Sequence, residues 1–468
     1  MTSMRLHLSV IARTLCHHAD TCTPDASGHF ASAPGTCRLQ ELILSVPAVS
    51  ARWGFPLRSL TTLAGTVAVQ AGTQLLVFAS GILLVRNLSI EQYAYYTLAT
   101  AALGIAAALS DSGMVSALIG QCGRVWQQPD RLGAVMATGL AIRRTVSLAC
   151  IALLCPILFW LAMRQGNSLS QALLLCGAVA PVFFVTASAA VLEIPLRLHQ
   201  RLRPLQIVQL TGTLARLALV AMTSLVYPMA WLAVLSSLFP LWLINRQLRE
   251  RSVTLANFDA SHDEEARKKI VAQVLRTLPG TIYYVFASQL TVLLISFFGT
   301  TEGVAQVGAL GRIATIVSFL MMVFGMIATP RYARIPETEG RKLLRLYLLL
   351  MGGVAAACCA AVLFAWLAPG VVLLILGAKY GSLTSEVVIA VASGALSVLA
   401  SASSGLASVR GTVVSPLVSI PPSIAAQALL IYLLPLDSVS SMFWLSITLS
   451  SVQVATNVGV FLRRLLRG

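Results

Sequence analysis

Two arginines stand where an apolar chain can least tolerate them. Arg216 is the one charge in the stretch from 205 to 226, and Arg312 is the one charge from 304 to 328. On insertion scales a charge at the centre of a membrane helix costs ~2.5–3.5 kcal/mol, so each needs a partner, water or an anionic ligand. A guanidinium keeps its charge and presents a planar fork of donors, which suits the oxygens of a phosphate or diphosphate; the plainer reading is a structural ion pair. Arg86 closes an uncharged run from 62 to 85 and either faces a cavity mouth or marks an interface. Asp111, in Ser110-Asp111-Ser112-Gly113, either pairs with such an arginine or caps a broken helix. Gln74, Gln289 and Gln427 suit sugar hydroxyls, although interhelical hydrogen bonding is the more common use of such residues. Glu193 and Arg197 read as interfacial. The candidate ligand-binding set is therefore Arg312, Arg216, Arg86, Asp111, Gln74 and Gln289.

These residues need elements that cross a bilayer. Of 468 residues, 57% are hydrophobic and 11% charged, against roughly 25% charged in a soluble domain, and the mean hydropathy is +0.82. The run from 62 to 85 exceeds the ~20 apolar residues that span ~30 Å of hydrocarbon. Twelve such spans are expected, near 62–85, 95–119, 141–163, 170–194, 205–226, 228–245, 277–298, 304–328, 343–367, 384–408, 413–434 and 440–461. The fold expected is an all-α polytopic membrane protein, with two six-helix bundles around a central cavity. Residues 1–55, rich in Pro and His, read as a disordered cytoplasmic extension. Residues 56–250 form the first bundle, 251–276 a cytoplasmic linker with an amphipathic helix at Glu264–Ile270, and 277–468 the second bundle. An even number of spans per half leaves both halves in the same orientation.

The formal charge of +16 comes from 33 basic and 17 acidic residues. The basic residues fall between alternate spans, 25 on one side against Arg86, Arg164 and Lys379 on the other. The positive-inside rule explains that split, places both termini in the cytoplasm, and removes any need for a nucleic-acid partner. Nine cysteines are scattered, and Cys16, Cys22 and Cys37 with His17, His18 and His29 match no zinc spacing, so neither metal nor cofactor is expected. None of the four lysines follows a glycine, which excludes a Walker P-loop and direct ATP hydrolysis. Outer loops of about ten residues, and no Asp-x-Asp, argue against a membrane glycosyltransferase or polysaccharide polymerase and against an enzyme in general.

Three motifs carry a resemblance. Leu84-Val85-Arg86-Asn87-Leu88-Ser89 with Gln92-Tyr93-Ala94-Tyr95-Tyr96 and Leu109-Ser110-Asp111-Ser112-Gly113-Met114 form the first; Phe297-Phe298-Gly299 through Leu310-Gly311-Arg312 the second; Leu376-Gly377-Ala378-Lys379-Tyr380-Gly381 the third. In this order the chain from about 55 resembles the polysaccharide-transporter (Wzx-type) flippases of the multidrug/oligosaccharidyl-lipid/polysaccharide exporter superfamily. It departs at Ala94, where a glycine is common, and at Ser288-Gln289, where an acid is common. The resemblance implies a polyprenyl-diphosphate-linked oligosaccharide turned from the inner to the outer leaflet. Membrane lipid and polysaccharide polymerase machinery are the implied partners. A cation-coupled multidrug exporter of the same superfamily is the alternative, and it would call for an acidic pocket in the first bundle.

Overall fold

Ser89 begins the second helix by accepting a hydrogen bond from Gln92 N (3.2 Å), with Glu91 in the first turn. A side-chain cap takes up one orphan amide, and an acid there complements the helix dipole. Ser168 and Asp263 cap two further helices in the same way, and Pro129 and Pro369 open two more from the first turn, where a missing N–H costs nothing. The resulting helices, in a computed structural model that describes residues 57–258, 263–333, 340–409 and 416–467, succeed one another in chain order. In the first half they are α1 (Leu57–Asn87), α2 (Ile90–Asp111), α3 (Met114–Val125), α4 (Pro129–Arg164), α5 (Leu169–Leu192), α6 (Ile194–Leu198), α7 (Leu202–Val226), α8 (Ala230–Leu235) and α9 (Leu238–Val253). The second half contains α10 (Glu264–Phe298), α11 (Thr301–Ala333), α12 (Gly340–Leu367), α13 (Pro369–Leu376), α14 (Thr384–Val409), α15 (Pro416–Leu433) and α16 (Val439–Arg467). The chain divides into a unit before Thr62 and one from Thr62 to Gly468, and the packed helices belong to the second. The expected extension 1–55 and its Cys/His residues lie outside the described residues.

Each of the twelve expected spans falls on a helix or a broken helix pair, and no strand occurs among the described residues. Among the described residues, eight helical stretches are long and apolar enough to cross a membrane, α2 running on into α3 and α5 into α6 in two of them. The remaining passes are α8 with α9, α11, α15 and α16. The protein is a twelve-helix membrane protein. The end bearing the turns at 88–89, 165–168 and 299–300 carries Arg86, Arg164 and Lys379 and is called the basic-poor end; the opposite one is the basic end.

Packing is tightest where glycine replaces a side chain. A Cβ on Gly308 of α11 would lie 2.2 Å from Thr97 Oγ1 on α2, and one on Gly394 of α14 would lie 2.8 Å from Ala314 Cβ on α11. Small residues allow such approach, and in lipid van der Waals contact replaces the hydrophobic effect as the force between helices. The largest apolar cluster joins both halves near the basic-poor end, from Leu84, Tyr93 and Tyr96 to Leu310, Leu376 and Val387.

α10 is unlike the rest. Its acidic–basic start, Glu264 to Ile270, is helical, with Arg267–Glu264 at 3.1 Å and a Lys269–Glu265 pair. The helix then continues without interruption through Pro279 to Phe298. Ala266 and Ile270 are buried among Met114, Leu118, Cys122 and Met136 of α3 and α4. Farther along, Val285 joins Ile105, Leu154 and Phe183. The chain ahead of it is docked as well: Asn257 N donates to Pro129 O (3.0 Å), and Gly133 leaves room for that carbonyl-lined contact, since a Cβ there would sit 1.7 Å from Asn257 O.

Candidate substrate cavity

Arg216 is ten residues from the basic-poor end of α7 and Arg312 eleven from that of α11, so at 1.5 Å per residue both sit ~15–17 Å deep, near the middle of a ~30 Å bilayer. Arg216 lines a 290 Å³ cavity with Tyr96, Thr100, Gly104, Thr186 and Ser237. Its Nε has no hydrogen-bond partner among the described residues. Arg312 points back along α11, as side chains on helices do, and its Cζ lies 5.8 Å from the centre of the Tyr96 ring. Tyr93 also borders it. Gly81 of α1 makes the space: a Cβ there would sit 3.4 Å from Arg312 Cδ. An aromatic face stabilises a guanidinium by ~0.5–2 kcal/mol, less than the cost of placing it there. Neither arginine makes an ion pair within the described residues. Tyr96 therefore borders two cations without a carboxylate partner, one from each half, beside a cavity of mixed apolar and polar lining, and Arg312 is hydrogen-bonded to Tyr93 and Tyr96. That arrangement can take a multivalent anion.

Gln289 belongs to the same wall, its Nε2 3.4 Å from where a Gly104 Cβ would be. Gln74 lies half-buried in mid-α1 with no hydrogen bond to a described residue. Gln427 Nε2 is buried without a partner among the described residues.

The other candidates go elsewhere. Asp111 stands at a helix break, where Ser112 (φ 33°) and Gly113 (φ 77°) end α2 and start α3. Its Oδ1 accepts from Val115 N (3.2 Å) and lies 3.8 Å from Arg143 Nη1. Asp111 thus caps the broken helix, and the arginine it faces is Arg143 rather than Arg216 or Arg312. Arg86 leaves the end of α1 and donates from Nε to Ile375 O (2.9 Å) and from Nη2 to Leu374 O (2.5 Å) at the end of α13. Lys379 answers from the second half, donating to Arg86 O (2.9 Å) and Leu88 O (2.7 Å). Glu193 is held by Arg197 (2.5 Å) and Gln209 (3.4 Å).

One assignment is corrected. Arg143 counts among the loop arginines when a span is taken to begin at 141, yet α4 starts at Pro129 and Arg143 is 4% exposed within it, donating to Ser110 O at 2.5 Å. Pro129, a good first-turn residue, was the available signal. Tyr96 was visible only as part of an aromatic bend, and Lys379 only as an outer charge. Among the described residues no cluster of three metal-ligating side chains occurs.

No family model matches the chain, and no curated protein does. Solved structures do. The lipid II flippase MurJ in an inward closed conformation is similar with a TM-score of 0.66 at 10% identity, over 84% of this chain and 87% of that one. An inward-facing multidrug resistance MATE family transporter of the MOP superfamily gives 0.64 at 16% identity, over 84% and 94%. A MOP superfamily transporter from Pyrococcus furiosus, described as having reverse polarity of its binding pocket, gives 0.55 at 15%, over 88% and 96%. The chain has the fold of these transporters.

Proposed function

We propose that this protein is a flippase that moves a polyprenyl-diphosphate-linked oligosaccharide across the bacterial cytoplasmic membrane by alternating access, for surface polysaccharide synthesis. The observation that carries the reading is the pair of mid-depth arginines beside Tyr96, one contributed by each half and neither with a carboxylate partner among the described residues. A diphosphate supplies the oxygens their forks require. The prenyl tail stays in lipid, no bond is made or broken, and a polymerase on the far side is the proposed consumer. Both termini are cytoplasmic in this reading, the basic end facing the cytoplasm.

The reading is tested by deleting the gene in a strain without a redundant flippase and assaying the glycolipid. Accumulation of the intermediate in the inner leaflet is expected; undiminished surface glycan with no accumulation defeats the proposal. Arg312→Lys keeps charge and loses the planar fork, so it retains partial transport; Arg312→Gln retains little, at normal abundance. Gln transporting as well as the parent returns Arg312 to a structural role.

Cation-coupled multidrug export is the second reading, favoured by the likeness to MATE transporters. Its acidic pocket would have to come from Asp111 and Glu193, which are already engaged by Arg143 and Arg197. Efflux of a cationic dye that survives Arg216→Gln and fails on Asp111→Asn would select it.

A further inference from the structure

α10 presents a polar stripe toward the basic end that the arginine pair does not explain. Arg276, Thr277, Thr281, Tyr284 and Ser288 line an open cavity of 540 Å³ that Pro416 of α15 also borders. Residues three and four apart share one helix face, and the twelve steps from Arg276 to Ser288 extend ~18 Å at 1.5 Å each. Past Ser288 the stripe meets Gln289, which lies against Gly104 on the wall of the Arg216 cavity. α10 thus carries residues that line the one cavity and, one position on, a residue in contact with the wall of the other.

The hydrogen-bonding capacity of this wall is specific. Thr281 donates to Thr277 O (3.2 Å), Ser288 donates to Val285 O (2.8 Å), and Thr277 donates to carbonyls including Ser112 O. With their protons committed, these hydroxyls keep only acceptor lone pairs for a ligand. Arg276, exposed and without an ion pair among the described residues, supplies only donors. Tyr284 stands between Thr281 and Ser288 on this face, 41% exposed, its hydroxyl fixed 2.6 Å from Ser419 Oγ and its ring braced edge-on by Tyr283 at 5.3 Å. A flat, immobilised ring with acceptors before and after it along the helix, and a donor farther on at the basic end of the stripe, matches a sugar ring, which has C–H faces and a rim of groups that both donate and accept. No carboxylate lines the cavity, which disfavours an organic cation. Its length exceeds what a single phosphate headgroup would occupy.

We infer that the α10–α15 cavity is the glycan subsite, with Tyr284 as its stacking platform and Thr277, Thr281, Ser288 and Arg276 as its hydrogen-bonding rim. This rests on the flippase reading and assigns the oligosaccharide to a place distinct from the diphosphate, which lies deeper at Arg216 and Arg312. The glycan then extends toward the basic end while the prenyl chain leaves sideways into lipid.

The test uses the full chain in phosphatidylcholine nanodiscs and measures binding of a sugarless polyprenyl diphosphate and of a panel of the same lipid carrying one to four sugars. At least one sugar-bearing member should bind the parent roughly threefold to tenfold tighter than the sugarless lipid, the range expected of one aromatic contact. Tyr284→Ala should bring that ratio to about one, and Tyr284→Phe, which keeps the ring, should preserve most of it. Should Tyr284→Ala fail to fold, Thr281→Val removes one acceptor at constant shape and should reduce the ratio. A parent with no preference for any sugar-bearing lipid, or a preference untouched by both Tyr284→Ala and Thr281→Val, overturns the subsite. If the sugarless lipid still binds and Arg216→Gln weakens it, the flippase reading survives that result; if the parent binds no member of the series, both fall.

Discussion

Arg143 is a buried charge that protein groups engage at Nη1, while its Nε has no partner among the described residues. It satisfies the Ser110 carbonyl, freed by the break between α2 and α3, and faces Asp111 at 3.8 Å. Removing it leaves a buried acceptor without a donor, which costs about 1–3 kcal/mol, whereas Asp111 is 46% exposed and its side of the pair is worth ~0–1 kcal/mol. Arg143→Leu should therefore lower the melting temperature of the detergent-solubilised protein clearly, and Asp111→Asn only slightly. Equal effects would mean that the ion pair, not the carbonyl, is what matters. Arg216 contrasts with it: no carbonyl or carboxylate among the described residues is bonded to it, so Arg216→Leu should be tolerated in folding while transport is lost. Chemical type alone does not separate these two arginines.

At the level of helices, the contact between α2 and α11 depends on Gly308 fitting beneath Thr97. Gly308→Ala drives a methyl into the threonine, and overpacking of this kind costs typically ~1–3 kcal/mol. Thr97→Ala should relieve it, so the double variant Thr97→Ala/Gly308→Ala should regain most of the thermal stability lost by Gly308→Ala alone; no recovery would show that the strain lies in the backbone instead. Long uncharged runs make the twelve helices legible in the sequence, because length and apolarity are local properties of the chain. The kink at Ser112-Gly113 is legible too, since glycine following Ser-Asp-Ser is an unusual interruption in an apolar helix. Arg143 is not, because its polar surroundings come from Ser110 and Asp111 more than thirty residues away. The meeting of Arg312 with Tyr96 is likewise a product of packing, being fixed by Gly81 on a third helix. The stretch 264–276 is legible as amphipathic, but nothing local reveals that its apolar face belongs to α3 and α4.

Across the whole molecule, Arg86 and Lys379 cross-link the two halves at the basic-poor end, each donating to carbonyls at the end of a helix in the other half. The last carbonyls of a helix have no partner within it and carry partial negative charge, so a cation is well placed there. Gly377, at φ 98°, lets the turn close against Arg86 Cγ. Lys379→Met with Arg86→Met should favour opening at this end, read as faster labelling of Thr100→Cys in the Arg216 cavity by an impermeant maleimide added outside, against the unsubstituted background; unchanged labelling would mean that the apolar cluster alone keeps the end shut. α10 has a different bearing on the whole. At 35 residues it is about 52 Å long, and it is buried against the first half from Ala266 to Val285 while Tyr284 and Thr291 reach Ser419 and Ser446 of the second. Numbered with the later half, it is built into the earlier one. Fragments made by severing the polypeptide just ahead of Asp263 would each be incomplete, the first missing a wall and the second carrying a helix with a bare flank. Severing at Gly299-Thr300 would instead yield two pieces able to find one another again, so the gene has its seam in one place and the molecule has its seam in another.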